Sequence, residues 1–85
     1  MNNFSFKEAE KSPHDHLSKL QIEISKVIYT KMKEIGWSKA ELARKLKVSR
    51  QLIHKLLKCD QNITLLTLVK ISMALNLTFE IKFNE

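Results

Sequence analysis

Between Trp37 and Lys58 the chain reads WSKAELARKLKVSRQLIHKLLK, two short amphipathic runs, each opened by a serine, with only a three-residue turn between them. Ser38 and Glu41 form the S-x-x-E capping pattern, and Trp37 and Leu42 stand where a hydrophobic staple fixes the angle at which the chain enters a helix. In the first run Leu42 and Leu46 face inward, and Ala43 is small where a second helix approaches. Ser49 caps the second run, Arg50 to about Leu57, whose inward residues are Ile53, Leu56 and Leu57. Such a pattern predicts a helix-turn-helix.

The net charge is confined to the same stretch. Lys39, Arg44, Lys45, Lys47, Arg50, Lys55 and Lys58 face a single acid, Glu41, and the chain's formal net charge is +6, so the remainder is neutral overall. Cations segregated in this way are the electrostatic footprint of a polyanion partner. Eighty-five residues make one domain with a small core, which gains from a second subunit. A lone cysteine, Cys59, and the lack of a charged-then-apolar leader suggest a reducing cytoplasm. The most apolar run, Ile63 to Phe79, is broken by Lys70, Ser72 and Asn76 and is too short and polar to span a bilayer. One glycine and one proline favour a helical domain with terse connections.

Three segments follow from these patterns. Residues 1–11 read as a flexible arm, with Phe4 and Phe6 as the alternative mark of a short strand. Residues 12–76 form the helical domain. Its first helix opens with Ser12 as cap, Pro13 at the first helical position and Asp15 at the positive end of the dipole. Leu17, Leu20, Ile24, Val27, Ile28 and Ile35 define its buried face, and Gly36 ends it. Thr64 or Asn62 caps the last helix, in which Leu65, Leu68, Val69, Ile71, Met73 and Leu75 spread beyond one stripe and predict a largely buried helix ending near Asn76. Residues 77–83 alternate, with Leu77, Phe79, Ile81 and Phe83 on one face, and predict a strand. A lone strand needs a partner edge. Pairing with a second copy of the chain is the economical solution, and pairing with the N-terminal arm is the alternative.

From Trp37 to Asn76 these residues resemble the XRE, or lambda-repressor-like, helix-turn-helix family, and the layout ending in DQNITLLTLVKISMALNLTFEIKF is similar to the HipB-type antitoxins of toxin–antitoxin operons. The resemblance covers roughly residues 20 to 83. It implies an all-α bundle of four to five helices with a short C-terminal strand, a homodimer, a palindromic operator and autoregulation. It puts Ser49, Arg50, Gln51 and Lys55 at base-reading or groove-facing positions and Lys39 at a phosphate-anchoring one. Two positions that are usually glycine in the family are Lys47 and Cys59 here; Lys47 in the left-handed region would cost about 1 kcal/mol.

The chemistry suits those types. Arg50 can donate twice to guanine O6 and N7, and Gln51 can pair with adenine N6 and N7, each worth about 1 to 3 kcal/mol of discrimination. Lys39, Arg44 and the amide-rich starts of the second and fourth helices, the latter at Thr64, would hold phosphates and set register. The bland alternative for all of these is a solvated helix face, and exposure is the expectation for His54. Leu52 is the odd residue on the reading face, placed for a thymine methyl or for a turn back into the dimer or a partner. His14 with His16, or His54 with Cys59, lack a companion at ligand spacing, so no metal is expected. No nucleophile with an adjacent base and no phosphate-cradling glycine loop appears, so neither catalysis nor a cofactor is expected. Two function classes remain: a dimeric sequence-specific repressor, and an antitoxin whose main task is to restrain a protein toxin. A nonspecific nucleic-acid binder is the lesser third.

Overall fold

The computed structural model describes residues 12–82, and within them four helices follow one another: α1 (Pro13–Ile35), α2 (Lys39–Leu46), α3 (Arg50–Leu57) and α4 (Leu65–Ala74). The expected arm over residues 1–11, with Phe4 and Phe6, and the last apolar position, Phe83, lie outside the described residues.

Every helix opens in the same way. Ser12, Ser38, Ser49 and Thr64 each sit in extended backbone and accept the N–H of the residue three positions on: Asp15, Glu41, Leu52 and Thr67. Each hydroxyl thus satisfies one of the donors that a helix start leaves orphaned. A reciprocal capping box closes at Ser12, where the Asp15 carboxylate accepts the Ser12 backbone N–H at 3.3 Å. At Ser38 only half of the expected box forms, because the Glu41 carboxylate turns to Arg44 instead.

The helices also end alike. Gly36, Lys47, Cys59 and Asn76 all have positive φ, between 55° and 74°, and each lies just past a helix. At each end two backbone bonds run back over the last turn, as in Trp37 N–H to Met32 O, Val48 N–H to Ala43 O, Asp60 N–H to Lys55 O and Leu77 N–H to Ser72 O. These are Schellman closures, which need the left-handed conformation at one residue. Glycine adopts it freely at position 36. Lys47 and Cys59 take it despite a β-carbon, at about 1 kcal/mol each. Trp37, Val48 and Leu77, the residues following three of these turns, fold back against the core, the apolar contact that accompanies the motif.

The core gathers Ile28 and Met32 of α1, Leu42 and Ala43 of α2, Ile53 and Leu56 of α3, and Ile71 and Leu75 from α4 and its end. Leu42, Ile53, Ile71 and Leu75 have almost no exposed surface, and each contributes about 1.5 to 3 kcal/mol by leaving water. α2 packs on both α3 and α4, and α1 packs on α3.

Two expectations about burial and one about the C-terminal segment differ in the single chain. Ile35 is partly exposed rather than part of the inner stripe of α1, while Met32, Gln21 and Ser25 are buried on it. Both polar groups are satisfied: Gln21 Nε2 donates to the Gln61 carbonyl at 2.7 Å and Ser25 Oγ to the Leu56 carbonyl at 3.4 Å. They stitch α1 to the end of α3 and the loop after it. α4 is not largely buried, since Leu65 is 69% exposed, Val69 41% and Met73 76%, with Leu66 at 64% beside them. The alternating segment after Asn76 forms no strand among residues 77–82. No second strand occurs among the described residues, and an extended segment with no edge to pair with cannot close a ladder. Leu77 packs against the core, Phe79 is half-buried and Ile81 is exposed.

Candidate nucleic-acid interface

α2 and α3 divide their residues by chemistry. Leu42, Ala43, Ile53 and Leu56 are sunk in the core, whereas Arg44, Lys45, Lys47, Arg50, Gln51, Lys55 and Lys58 are exposed. A short turn, with Lys47 in the left-handed region (φ 58°), sets the angle between the two helices. The result is a cationic surface carried on a rigid apolar base.

Arg50 and Gln51 are the first two residues of α3, and both are exposed at its N-terminal end. Lys55 is exposed one turn further on. The Ser49 hydroxyl oxygen accepts the Leu52 N–H at 3.1 Å, so what it can offer a ligand is its O–H as donor. Arg44 is exposed but paired with Glu41 on the same helix; an exposed pair of this kind is worth little and exchanges readily. Thr64 caps α4, its Oγ1 accepting the Thr67 N–H at 3.1 Å and donating to Thr67 Oγ1 at 2.9 Å. Lys45 lies over the Trp37 ring with its Nζ 5.6 Å from the centroid, a cation–π contact that holds this ammonium on the turn before α2.

Two residues stand differently from the sequence expectation. Leu52 is half-buried and packs against the core rather than projecting from the reading face. His54 is half-buried rather than fully exposed, and its Nδ1 lies 2.8 Å from Lys39 Nζ. The adjacent Lys39 ammonium, then partial desolvation, then Lys58 hold the His54 imidazole below its ordinary pKa, against a raising effect of Asp60. This is the one close polar contact between side chains of α2 and α3 among the described hydrogen bonds, and nothing in the local sequence signals it. Gln21 and Ser25 were also missed, although a signal existed. They fall at the three-and-four spacing of the buried face, between Leu17 and Ile28, where a polar residue on an apolar stripe implies an internal partner.

Among the described residues no group of three or more His, Cys, Asp and Glu side chains is placed to hold a metal ion, and no helix is long and apolar enough to cross a membrane. Two capped helices, a tight turn and a cationic outer face on the second helix define a DNA-binding helix-turn-helix domain. A family model described as helix-turn-helix matches residues 28–82. The chain belongs to the XRE helix-turn-helix family, a class of DNA-binding transcriptional regulators. No curated protein and no solved structure matches it.

Proposed function

We propose that the protein is a sequence-specific repressor that binds a palindromic operator as a homodimer, with α3 in the major groove. The observation that carries this reading is the first turn of α3, where Arg50 and Gln51 stand exposed on a helix whose opposite side is anchored in the core through Ile53 and Leu56. Arg50 and Gln51 read guanine and adenine edges, with Ser49 and Lys55 beside them. Lys39, Arg44 and the Thr64 end of α4 hold phosphates. The role is one of binding, with no catalysis and no cofactor, in the cytoplasm.

Dimerisation in this reading uses the apolar surface that the single chain leaves open. Leu65, Leu66, Val69 and Met73 make α4 apolar on its outer side, and exposed apolar groups gathered on one helix mark an interaction surface. Leu77, Phe79, Ile81 and Phe83 would gain the missing edge by pairing with the same segment of a second copy. Two recognition helices then enter successive major grooves about 34 Å apart.

The test is fluorescence anisotropy against the DNA upstream of the gene and a shuffled control, over a salt series. A preference of about a thousandfold is expected for an operator reader. Equal and steeply salt-dependent binding of both would replace this reading by a nonspecific coat.

A second reading, an antitoxin of the HipB type, draws on Ile22 and Tyr29. Both are exposed on α1 and line one shallow groove with Leu57 and Cys59, a groove to which α4 contributes no residue. A protein toxin would cover that groove. Co-expression with the product of a neighbouring reading frame, with wild type against Tyr29→Glu, separates the readings; a complex lost in the variant favours the antitoxin.

A further inference from the structure

We infer that His54 is a positioning residue for Lys39 on the DNA face, and that this couple ties DNA affinity to the uptake of a proton. The inference rests on α2 and α3 being the pair that meets DNA. Lys39 opens α2, and its Nζ reaches across to His54 Nδ1 on α3 at 2.8 Å. An ammonium has only donors, so Nδ1 is the acceptor, and the neutral ring carries its proton on Nε2. A lysine head is otherwise a freely rotating charge on a four-carbon stem. In the free protein, while the ring is neutral, the recognition helix itself holds that charge in place, so Lys39 meets an arriving phosphate from a fixed position.

The charges around the ring set the sign of the proton linkage. Lys39 on α2 and Lys58 just past α3 oppose a charged imidazole, and only Asp60 favours it. In the free protein the ring is therefore neutral at ordinary pH, and it can accept from Lys39. DNA brings phosphates to this face and reverses the local field, which favours the imidazolium. Once protonated, His54 can no longer accept from Lys39, and two cations face the polyanion. The pKa is lowered in the free chain and raised in the complex, so binding takes up a proton. Affinity is flat at high pH, rises as pH falls through the bound-state pKa, and levels off below the free-state pKa, with a slope of at most about tenfold per pH unit for each protomer.

The experiment measures anisotropy on a labelled random-sequence duplex at low salt, between about pH 7.5 and pH 5.5, for wild type and His54→Gln. Glutamine keeps an oxygen acceptor for Lys39 but does not titrate. The wild type should gain about threefold to tenfold more affinity on acidification than His54→Gln, each compared with its own value at the upper end of the range. His14 and His16 remain in the variant and cancel as background. In parallel, NMR titration of the His54 ring in the free protein should move upward in Lys39→Met, a shift that a merely packed histidine would not show. Equal pH slopes in wild type and His54→Gln, or an unmoved ring titration in Lys39→Met, overturns the inference. Failure of the wild type to bind any duplex would overturn the DNA reading and the linkage together, and is told apart because the ring titration reads the couple without DNA.

Discussion

α3 and α4 are both short, apolar-rich helices, yet one is finished by its own chain and the other is not. In α3, Ile53 and Leu56 are buried and Leu52 and Leu57 half-buried, so every apolar side chain has company and the remaining face is polar or cationic. In α4, Leu68 and Ile71 are buried while Leu65, Leu66, Val69 and Met73 look outward. The difference lies in the neighbours. α3 is flanked by α1 and α2, whereas α4 is held chiefly by α2. The half-apolar α3 thus becomes a rigid reading platform, while the more apolar α4, with fewer neighbours, is left with an open association surface.

The largest expected effect tests the finished side. Leu56→Ala should cost about 3 kcal/mol of stability, because the site is enclosed and a cavity remains. The equally apolar Met73, truncated to Ala in a monomeric background, should change stability by less than about 0.5 kcal/mol. Urea unfolding of the two variants measures both, and similar losses would erase the contrast. Next comes the open side. Leu66→Glu should weaken self-association about a hundredfold, the loss of one apolar anchor of roughly 2 to 3 kcal/mol. Sedimentation equilibrium would read this as a shift from dimer to monomer mass. An unchanged mass would remove α4 from the dimer seam.

Smaller effects refine the comparison at the helix ends. Ser49→Ala and Thr64→Ala each delete the hydroxyl that satisfies an orphan N–H, so each should cost about 1 kcal/mol in thermal or urea unfolding. Because Ser49 opens the DNA-facing helix, its loss should also weaken DNA binding. Smallest is Lys47→Gly. Relief of the left-handed strain should raise stability by about 0.5 kcal/mol, while removal of one cation flattens the salt dependence of DNA binding. A destabilised Lys47→Gly would mean that the lysine stem contributes packing that outweighs the strain.

Much of the fold was legible because its punctuation is local. Ser12, Ser38 and Ser49 announced three helix starts, Gly36 and Asn76 two stops, and Lys47 and Cys59 occupy the turn positions that the family resemblance marks as special. The cationic face was equally plain, since seven cations sit in one short stretch. Burial along α4 was misjudged because an apolar run records an appetite for neighbours without saying how many will arrive. The segment after Asn76 forms no strand within the single chain for the same reason: alternation shows which side chains share a face, but a ladder needs a second edge. Leu52 read as a surface residue because its inward tilt depends on where α3 meets the core.

The sequence by itself determined three helix starts, two helix ends and where positive charge collects, because a cap, a left-handed turn and a charge cluster involve residues only a few positions apart. Tertiary structure alone decided that Gln21 would be satisfied by the Gln61 carbonyl, that Lys39 would lean on His54, and that one side of α4 would stay uncovered. Those contacts join residues distant in the chain or fail for want of a neighbour, and both outcomes depend on how the helices pack together.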